Sequence, residues 1–460
     1  MRRTARFLAA FGMTLIPPGM AEGSVDLALE SRTFAEKPRD DVQQPERHNL
    51  SASVAPEYAA ESADGVHSLL FEGFARLDQS DGERTHADVR DLYYRDKAES
   101  YEVRAGLRRV FWGVTESAHL VDVVNQSHLA ENLDGEDKLG QPSLDFAWIL
   151  DSGTVEFFVL PYFRARPFPG EAGRLRPFLP VRTGNAIYES SSEKRHVDLA
   201  TRYAQSFGGW DFGLSYFRGT ARDPRLLFAA DEFVVDTRGV PLECGLPPPL
   251  APDNCAEFVS VTARNPHLIP AYDQARQVGL ELQRLWGGWL LKLEAIHRDS
   301  EAQRYAAAVA GVEYTFGNVH ESGADLTAVL EYLYDQRGSL DPDSAQGRAQ
   351  ARFARGMSFN GAEAQQLQGL RPRSFSPFQN DLFLGLRVAL NDEPGTEMLI
   401  GGIVDIDTQA TLASVEASRR LGADYRLAAE LRGFGSLPVT DPLWSFERDS
   451  YLQIELTRYF

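Results

Sequence analysis

Ala324-Asp-Leu-Thr-Ala-Val-Leu-Glu-Tyr-Leu-Tyr334 alternates almost without a break. Ala324, Leu326, Ala328, Leu330, Tyr332 and Tyr334 fall on one face of an extended chain. Asp325, Thr327 and Glu331 fall on the other. Side chains of a strand point alternately to its two sides, so this stretch has one apolar and one charged face. The same rhythm recurs. Leu382, Leu384, Leu386, Val388 and Leu390 alternate with Asp381, Gly385 and Arg387. Tyr425, Leu427, Ala429 and Leu431 alternate with Arg426, Glu430 and Arg432, and Leu291, Leu293 and Ala295 with Lys292, Glu294 and Arg298.

A pass along the chain predicts about sixteen such strands, over 66–78, 86–97, 101–112, 143–151, 154–164, 195–206, 210–219, 274–286, 288–299, 304–316, 322–335, 379–391, 396–407, 409–421, 424–434 and 449–460. Their connections alternate in length. Asp151-Ser-Gly153, Gly208-Gly209, Gly287-Gly288, Asn391–Gly395 and Gly422-Ala423 are short and rich in turn formers. The stretches 113–142, 165–194, 220–273 and 336–378 are long. The expected fold is all-β, a transmembrane antiparallel β-barrel with short turns at one end and long loops at the other. The strand 86–97 fits least well, because its alternation slips near Arg90–Tyr94. Propeller blades would repeat every 40–50 residues or so, and no such repeat is present.

Composition agrees once helices and strands are treated separately. The 460 residues carry 47 Lys+Arg and 66 Asp+Glu, a net charge of −19. That balance excludes a nucleic-acid partner held by its phosphates. Mean hydropathy is negative and no run of 18 apolar residues exists, which excludes membrane helices only. A barrel strand needs about 9–11 residues, half of them apolar.

Arg2, Arg3 and Arg6 precede an apolar stretch, Phe7–Ile16, and the small residues around Gly19-Met20-Ala21. This reads as an export signal cut after Ala21. Residues 22–64 are polar and acidic. They are expected to form a flexible periplasmic extension, with a short helix near Val25–Phe34 as an option, and the barrel is expected over 65–460. The chain ends Tyr451-Leu-Gln-Ile-Glu-Leu-Thr-Arg-Tyr-Phe460. Leu452, Ile454, Leu456 and Phe460 share a face. This ending resembles the assembly signal of Gram-negative outer-membrane β-barrels, with Leu456 and Phe460 as its marks and Arg458 as a departure. The resemblance implies the cell outer membrane, its lipid and lipopolysaccharide, and the barrel-assembly machinery as surroundings. It also allows a homo-oligomer. Aromatics near strand ends suit interfacial belts: Trp286, Trp289, Tyr314, Phe316 and Phe460 at the short-turn end, and Tyr332, Tyr334 and Phe163 at the loop end.

Parity turns Arg76, Arg104, Arg108, Arg164, Arg166, Arg202 and Arg218 inward from the first half. The later strands turn mainly acids inward, among them Glu294, Glu331, Asp405 and Glu430, together with Arg387. Arg104, Arg108, Arg164 and Arg166 are expected to line one wall. Such charges either set ion selectivity or pair across neighbouring strands to hold the wall. The stretch 111–141, FWGVTESAHLVDVVNQSHLAENLDGEDKLGQ, has a helix-compatible core at Ala118–Leu129 and an acidic tip. It is expected to fold into the barrel and narrow it. It resembles segments of uncharacterised outer-membrane barrels, and that resemblance names no activity. Asn132, Asp134, Glu136 and Asp137 lack EF-hand spacing, so a solvated acidic loop is the better reading than a Ca²⁺ site. Cys244 and Cys255 sit in one long loop of an exported chain, which suggests a local disulfide. No G-x-S-x-G or H-E-x-x-H motif occurs, and neither metal nor cofactor is expected.

The main functional expectation is therefore a porin-like channel for small hydrophilic solutes. The alternative is the outlet barrel of an export system, with residues 22–64 docking a periplasmic partner. A lipid-modifying enzyme using one of the histidines is a third and weaker reading.

Overall fold

The computed structural model describes residues 20–236, 260–337, 359–360, 376, 378–439 and 441–460. Eighteen strands form one closed antiparallel barrel. They are β1 (Met20–Phe34), β2 (His48–Glu61), β3 (His67–Asp78), β4 (His86–Lys97), β5 (Tyr101–Arg108), β6 (Gln141–Leu150), β7 (Gly153–Leu160), β8 (Asp198–Phe207) and β9 (Trp210–Thr220). The second half holds β10 (Gln274–Trp286), β11 (Trp289–Ser300), β12 (Arg304–Phe316), β13 (Asp325–Asp335), β14 (Asn380–Ala389), β15 (Glu397–Asp405), β16 (Thr411–Leu421), β17 (Tyr425–Gly435) and β18 (Tyr451–Tyr459). Each of the sixteen expected strands is present.

The two additional strands correct the reading of residues 22–64. That segment is wall. β1 pairs with β2 along its whole length, and with β18 from Asp26↔Tyr459 to Phe34↔Tyr451. Closure therefore depends on β1, and the option of a helix at Val25–Phe34 is replaced by a strand. The adjoining Phe460 exchanges backbone hydrogen bonds with Val25.

The slip near Arg90 has a local cause. β3 and β4 change register between Glu72 and Gly73, so Arg90 is an extra residue on β4. A β-bulge of this kind breaks strict alternation without ending the strand.

Apolar side chains cover the outside of the barrel. Leu29, Leu77 and Leu384 are each more than half exposed, and Phe157, Tyr216, Leu330, Ile400 and Ile454 are also exposed. The inward positions on the same strands are buried and often charged, such as Glu30, Asp145, Glu281, Glu331 and Arg432. A closed barrel that is apolar outside and polar inside is built to span a bilayer, since lipid cannot satisfy an open strand edge. At the short-turn end, Trp286 and Trp289 are exposed register partners, and Trp289 packs on Tyr314 with ring centroids 4.7 Å apart. Arg458 stays on the outer face by laying its guanidinium over the Phe460 ring, 4.2 Å from its centroid. Tyr332 and Tyr334 are exposed near the loop end as expected. Phe163 is not: it is fully buried against Tyr272 and belongs to the loop packing. Arg218 also departs from expectation, because it lies exposed on the outer face.

Candidate functional site

The lumen is partly filled by the chain itself. Residues 109–140, between β5 and β6, fold inside the barrel. The expected helix at Ala118–Leu129 is absent; the segment is a run of turns. Its backbone donors consequently lack intrahelical partners, and inward carboxylates of the wall accept from them. Glu281 on β10 accepts from Gly113 N–H at 2.9 Å. Glu294 on β11 accepts from Val114 N–H at 2.7 Å and Thr115 N–H at 3.0 Å. Glu331 on β13 accepts from Glu116 and Ser117 N–H, both at 2.8 Å. Three neighbouring regions of wall thus hold one five-residue turn.

Apolar packing completes the anchorage. Trp112, Val121, Val123 and Val124 meet Phe158, Phe217, Ile296 and Ala307 in a dry cluster inside the barrel. The side chain of Asn125 ties the two limbs of the insert together. It accepts from Val110 N–H and donates to the carbonyls of Arg108 and Leu139, each at 2.8 Å. Further on, Gln126–Leu139 and His128–Asp137 form a short hairpin through backbone hydrogen bonds. Burial, helped by His86, holds the His128 imidazole far below its ordinary pKa, at about 3. The tip joins a buried ion network, in which Arg76 bridges Glu131 at 3.0 Å and Glu30 at 2.9 Å, and Arg84 bridges Glu30 and Asp78 at 2.8 Å.

The insert leans on the β7–β13 side and leaves room on the other. A cavity of about 350 Å³ remains against β14–β18. Asp134, Glu397, Glu416, Glu430 and Glu455 line it, with Arg387 and Arg426 as its cationic lining among the described residues. Arg387 is bonded to Glu116 of the insert at 2.6 Å, and Arg432 behind the lining pairs with Glu430 at 2.9 Å. Glu397 and Glu455 form no ion pair among the described residues.

The residues singled out from sequence divide into three groups. Arg387 and Glu430 face the cavity. Arg104 and Arg108 line the wall elsewhere, Arg104 paired with Glu102 and Arg108 with Asp145 at 2.8 Å. The remainder have other tasks. Glu294 and Glu331 are sealed under the insert as its anchors. Arg164 and Arg166 lie past the end of β7, so they do not share a wall with Arg104 and Arg108. Arg164 bonds Asp88 at 2.7 Å and the Gly140 carbonyl at 2.9 Å, while Arg166 bonds Asp223 at 2.7 Å and Gln126 at 3.0 Å. Asp405 caps the β15–β16 turn by accepting from Asp407 and Thr408 N–H. Leu456 is exposed on the outer face of the closing strand. Cys244 and Cys255 lie outside the described residues. Asp134, Glu136 and Asp137 point to separate partners, namely Arg432, His119 and Arg90. No group of potential metal ligands occurs among the described residues.

Sequence reasoning did not single out Glu281 as an anchor, nor Asn125 or Trp112. One signal was available for Glu281. It stands directly opposite Glu294 in the β10–β11 register, and two acids facing each other inside a wall need donors from elsewhere.

No family model and no curated protein matches the chain. Among solved structures, it is similar to a BenF-like porin from Pseudomonas fluorescens, at 9% identity and a TM-score of 0.48, over 96% of this chain and 97% of that one. It is similar to OccAB1 of Acinetobacter baumannii at 7% identity and 0.47, over 96% of both chains. It is also similar to Wzi of Escherichia coli, an outer-membrane carbohydrate-binding barrel involved in capsule assembly, at 8% identity and 0.46, over 94% of this chain and 84% of that one.

Proposed function

We propose that this barrel is an outer-membrane channel of porin type, through which small hydrophilic solutes diffuse along the β14–β18 wall. The observation that carries this reading is the polar cavity left beside the insert. The insert packs on one side of the lumen and leaves a polar, charged space on the other. Among the described residues, five carboxylates stand against three guanidinium groups once Arg432, which pairs with Asp134, Glu416 and Glu430, is counted, so that space favours cations over anions. Glu397, Glu416, Glu430 and Arg387 set its field; Arg104 and Arg108 are neutralised by their partners. The reading is of passive passage without chemistry. Residues 1–21 serve as the export signal, and cutting after Ala21 leaves β1 from Glu22 onward. Leu456 and Phe460 serve as the assembly mark, and Cys244–Cys255 as a loop disulfide. The export-outlet alternative relied on residues 22–64 as a free docking arm. Those residues are wall, so that support is gone.

Planar-bilayer recording of the purified barrel in a salt gradient tests the proposal. A steady conductance with a reversal potential on the cation side is expected, moving toward zero in E397Q/E455Q. A barrel that is folded and inserted but carries no current would refute the channel. An anion-selective current would refute the charge assignment alone.

A further inference from the structure

Two arginines face each other on the outside of the barrel, where neither serves the lumen. Arg218 near the loop end of β9 and Arg276 near the start of β10 are direct register partners. Both are exposed, and the residues flanking each along its strand are buried, so both side chains point outward. Neither forms an ion pair among the described residues. The same register row continues through Asp299 on β11 to Arg304 on β12. Asp299 is already engaged by the Arg304 guanidinium through two hydrogen bonds, at 3.1 and 3.0 Å. Two other acids at this rim are engaged too. Asp273 holds Arg225 at 2.6 Å, and Glu189 accepts from Gln274 N–H at 2.6 Å.

Like charges directly opposite in a sheet repel, and repulsion grows where the dielectric falls. This pair sits at such a boundary. One step toward the barrel's middle on the same face are Tyr216 and Val278, exposed and paired with each other. The next step carries Leu214 and Leu280. Arg276 also feels the Asp299 carboxylate beside it, but among the described residues neither guanidinium is hydrogen-bonded to an acid, and both stand immediately above an apolar surface that acyl chains cover. An anion held between the two forks relieves the repulsion, and phosphate oxygens match a guanidinium fork in geometry and charge. A free anion has nothing to place on Tyr216 and Val278, whereas a lipid has.

We propose that Arg218 and Arg276 form a binding site for the phosphate of a phosphorylated lipid headgroup in the leaflet on the long-loop side. The inference rests on the outer-membrane reading of the barrel but not on its conductance. The lipid's phosphate sits between the two forks, and its first acyl chain runs down over Tyr216, Val278, Leu214 and Leu280. Such a lipid holds β9 and β10 together at the rim from which the long loops spring.

The test measures binding of fluorescent lipid A, a diphosphorylated glycolipid, to the detergent-purified full chain. Two variants and the natural chain are compared once heat-modifiable mobility shows that each is folded. R218Q/R276Q is expected to bind about tenfold more weakly than the natural chain. R284Q, on the same β10 strand at the opposite rim, is expected to bind unchanged. Lipid A stripped of both phosphates is expected to lose the difference between the natural chain and R218Q/R276Q. Unchanged binding by R218Q/R276Q overturns the proposal. So does an equal loss in R284Q, which would mean only diffuse charge attraction. Full displacement by millimolar inorganic phosphate would also overturn it, by showing a free-anion site. Bilayer conductance of R218Q/R276Q is read in parallel. Both residues lie outside the lumen, so absence of current in the natural chain and the variant alike counts against the channel reading and leaves the lipid result standing.

Discussion

Replacing Glu294 by alanine should loosen the insert without unfolding the barrel. Glu294 points into the lumen and is fully buried beneath residues 113–121. Its carboxylate takes Val114 N–H at 2.7 Å and Thr115 N–H at 3.0 Å, with a longer bond from Val121 N–H at 3.3 Å. The Thr115 hydroxyl has a second acceptor in the Ala118 carbonyl, so it is not orphaned by the change. Two short backbone bonds to a charged acceptor remain to be counted. At about 1.5 kcal/mol each, the low end because lumen water can enter, they sum to about 3 kcal/mol. A tenfold population change corresponds to about 1.4 kcal/mol, so the released form of this turn should rise about a hundredfold. The Trp112 cluster and Glu331 still hold, so the insert stays inside the barrel but fluctuates. Single-channel recording should show larger current noise and a higher mean conductance in E294A. E294Q should fall between, because its carbonyl oxygen still accepts from Val114 and Thr115, but its amide group now faces the Val121 N–H. Adding E331A should increase the effect by less than or more than the sum, since both residues grip one turn. If E294A is folded and its conductance and noise match the natural chain, the carboxylates do not control the insert and the reasoning fails.

Acidification should loosen the tip through His128. Its pKa when folded is lowered to about 3 by burial and then by His86. A lowered imidazole pKa gives stability that is complete above about 6.5 and declines as the pH falls toward 3. Hydrogen exchange of residues 127–138 should therefore quicken more between pH 7.5 and 4.5 in the natural chain than in H128Q. The comparison with H128Q removes the opposite contribution of Asp137, whose carboxyl burial pushes up to about 6; identical profiles would remove His128 from the account. Trp112→Ala should cost the insert about 3–5 kcal/mol, because a fully packed indole is lost from a dry cluster. Limited proteolysis should then cut within 113–124, and resistance equal to the natural chain would contradict the packing. Gly106→Ala should block barrel formation. Gly106 has φ +143°, and a Cβ there would stand 2.1 Å from the Leu92 carbonyl oxygen of β4. Gly433→Ala meets nothing nearby and should fold normally, both judged by heat-modifiable mobility.

The wall was legible in sequence wherever its outer face carries large apolar residues. β13, β14 and β17 read plainly because Leu and Tyr recur at every second position. β1 and β2 did not, and their composition shows why. The outward row of β1 is Ala21, Gly23, Val25, Leu27, Leu29, Ser31 and Thr33, with only three large aliphatics. β2 has Pro56 in mid-strand, which has no N–H to give a ladder, and its pairing to β3 skips that point. Both strands are also strongly polar inward, so the two together resemble a disordered segment. Their place in the fold follows from closure, which is a property of the whole barrel. The insert was legible in part. Its length and its apolar positions point into the lumen, but its lack of regular structure does not follow from periodicity. The helix-like spacing of Ala118–Leu129 serves instead to place Val121, Val123 and Val124 against the wall. The inward acids were found by parity, yet parity does not distinguish an acid that faces water from one that faces a backbone N–H. Glu430 and Glu331 look alike in sequence for that reason.

That distinction bears on why the chain is so acidic. Every strand of a closed barrel spends its backbone acceptors on its neighbours, so a loop that enters the lumen finds no free carbonyls on the wall. An irregular loop brings unpaired N–H groups with it, and only side chains can accept from them. A carboxylate suits this best, since it offers two oxygens and no donor of its own. Glu281, Glu294 and Glu331 do this, and among the described residues Glu281 alone also forms an ion pair, with Arg202 at 2.8 Å. In the opposite half the insert's tip meets the wall side chain to side chain, and there the charges balance: Arg32, Arg76 and Arg84 against Glu30, Asp78 and Glu131. Part of the −19 is thus a requirement of holding an irregular segment inside a β-wall. Neutralising those acids to make the lumen less negative would free the insert before it altered selectivity. Acids that face the cavity and, among the described residues, hold neither the insert nor a cation, Glu397 and Glu455, can be changed to read the field of the lumen alone.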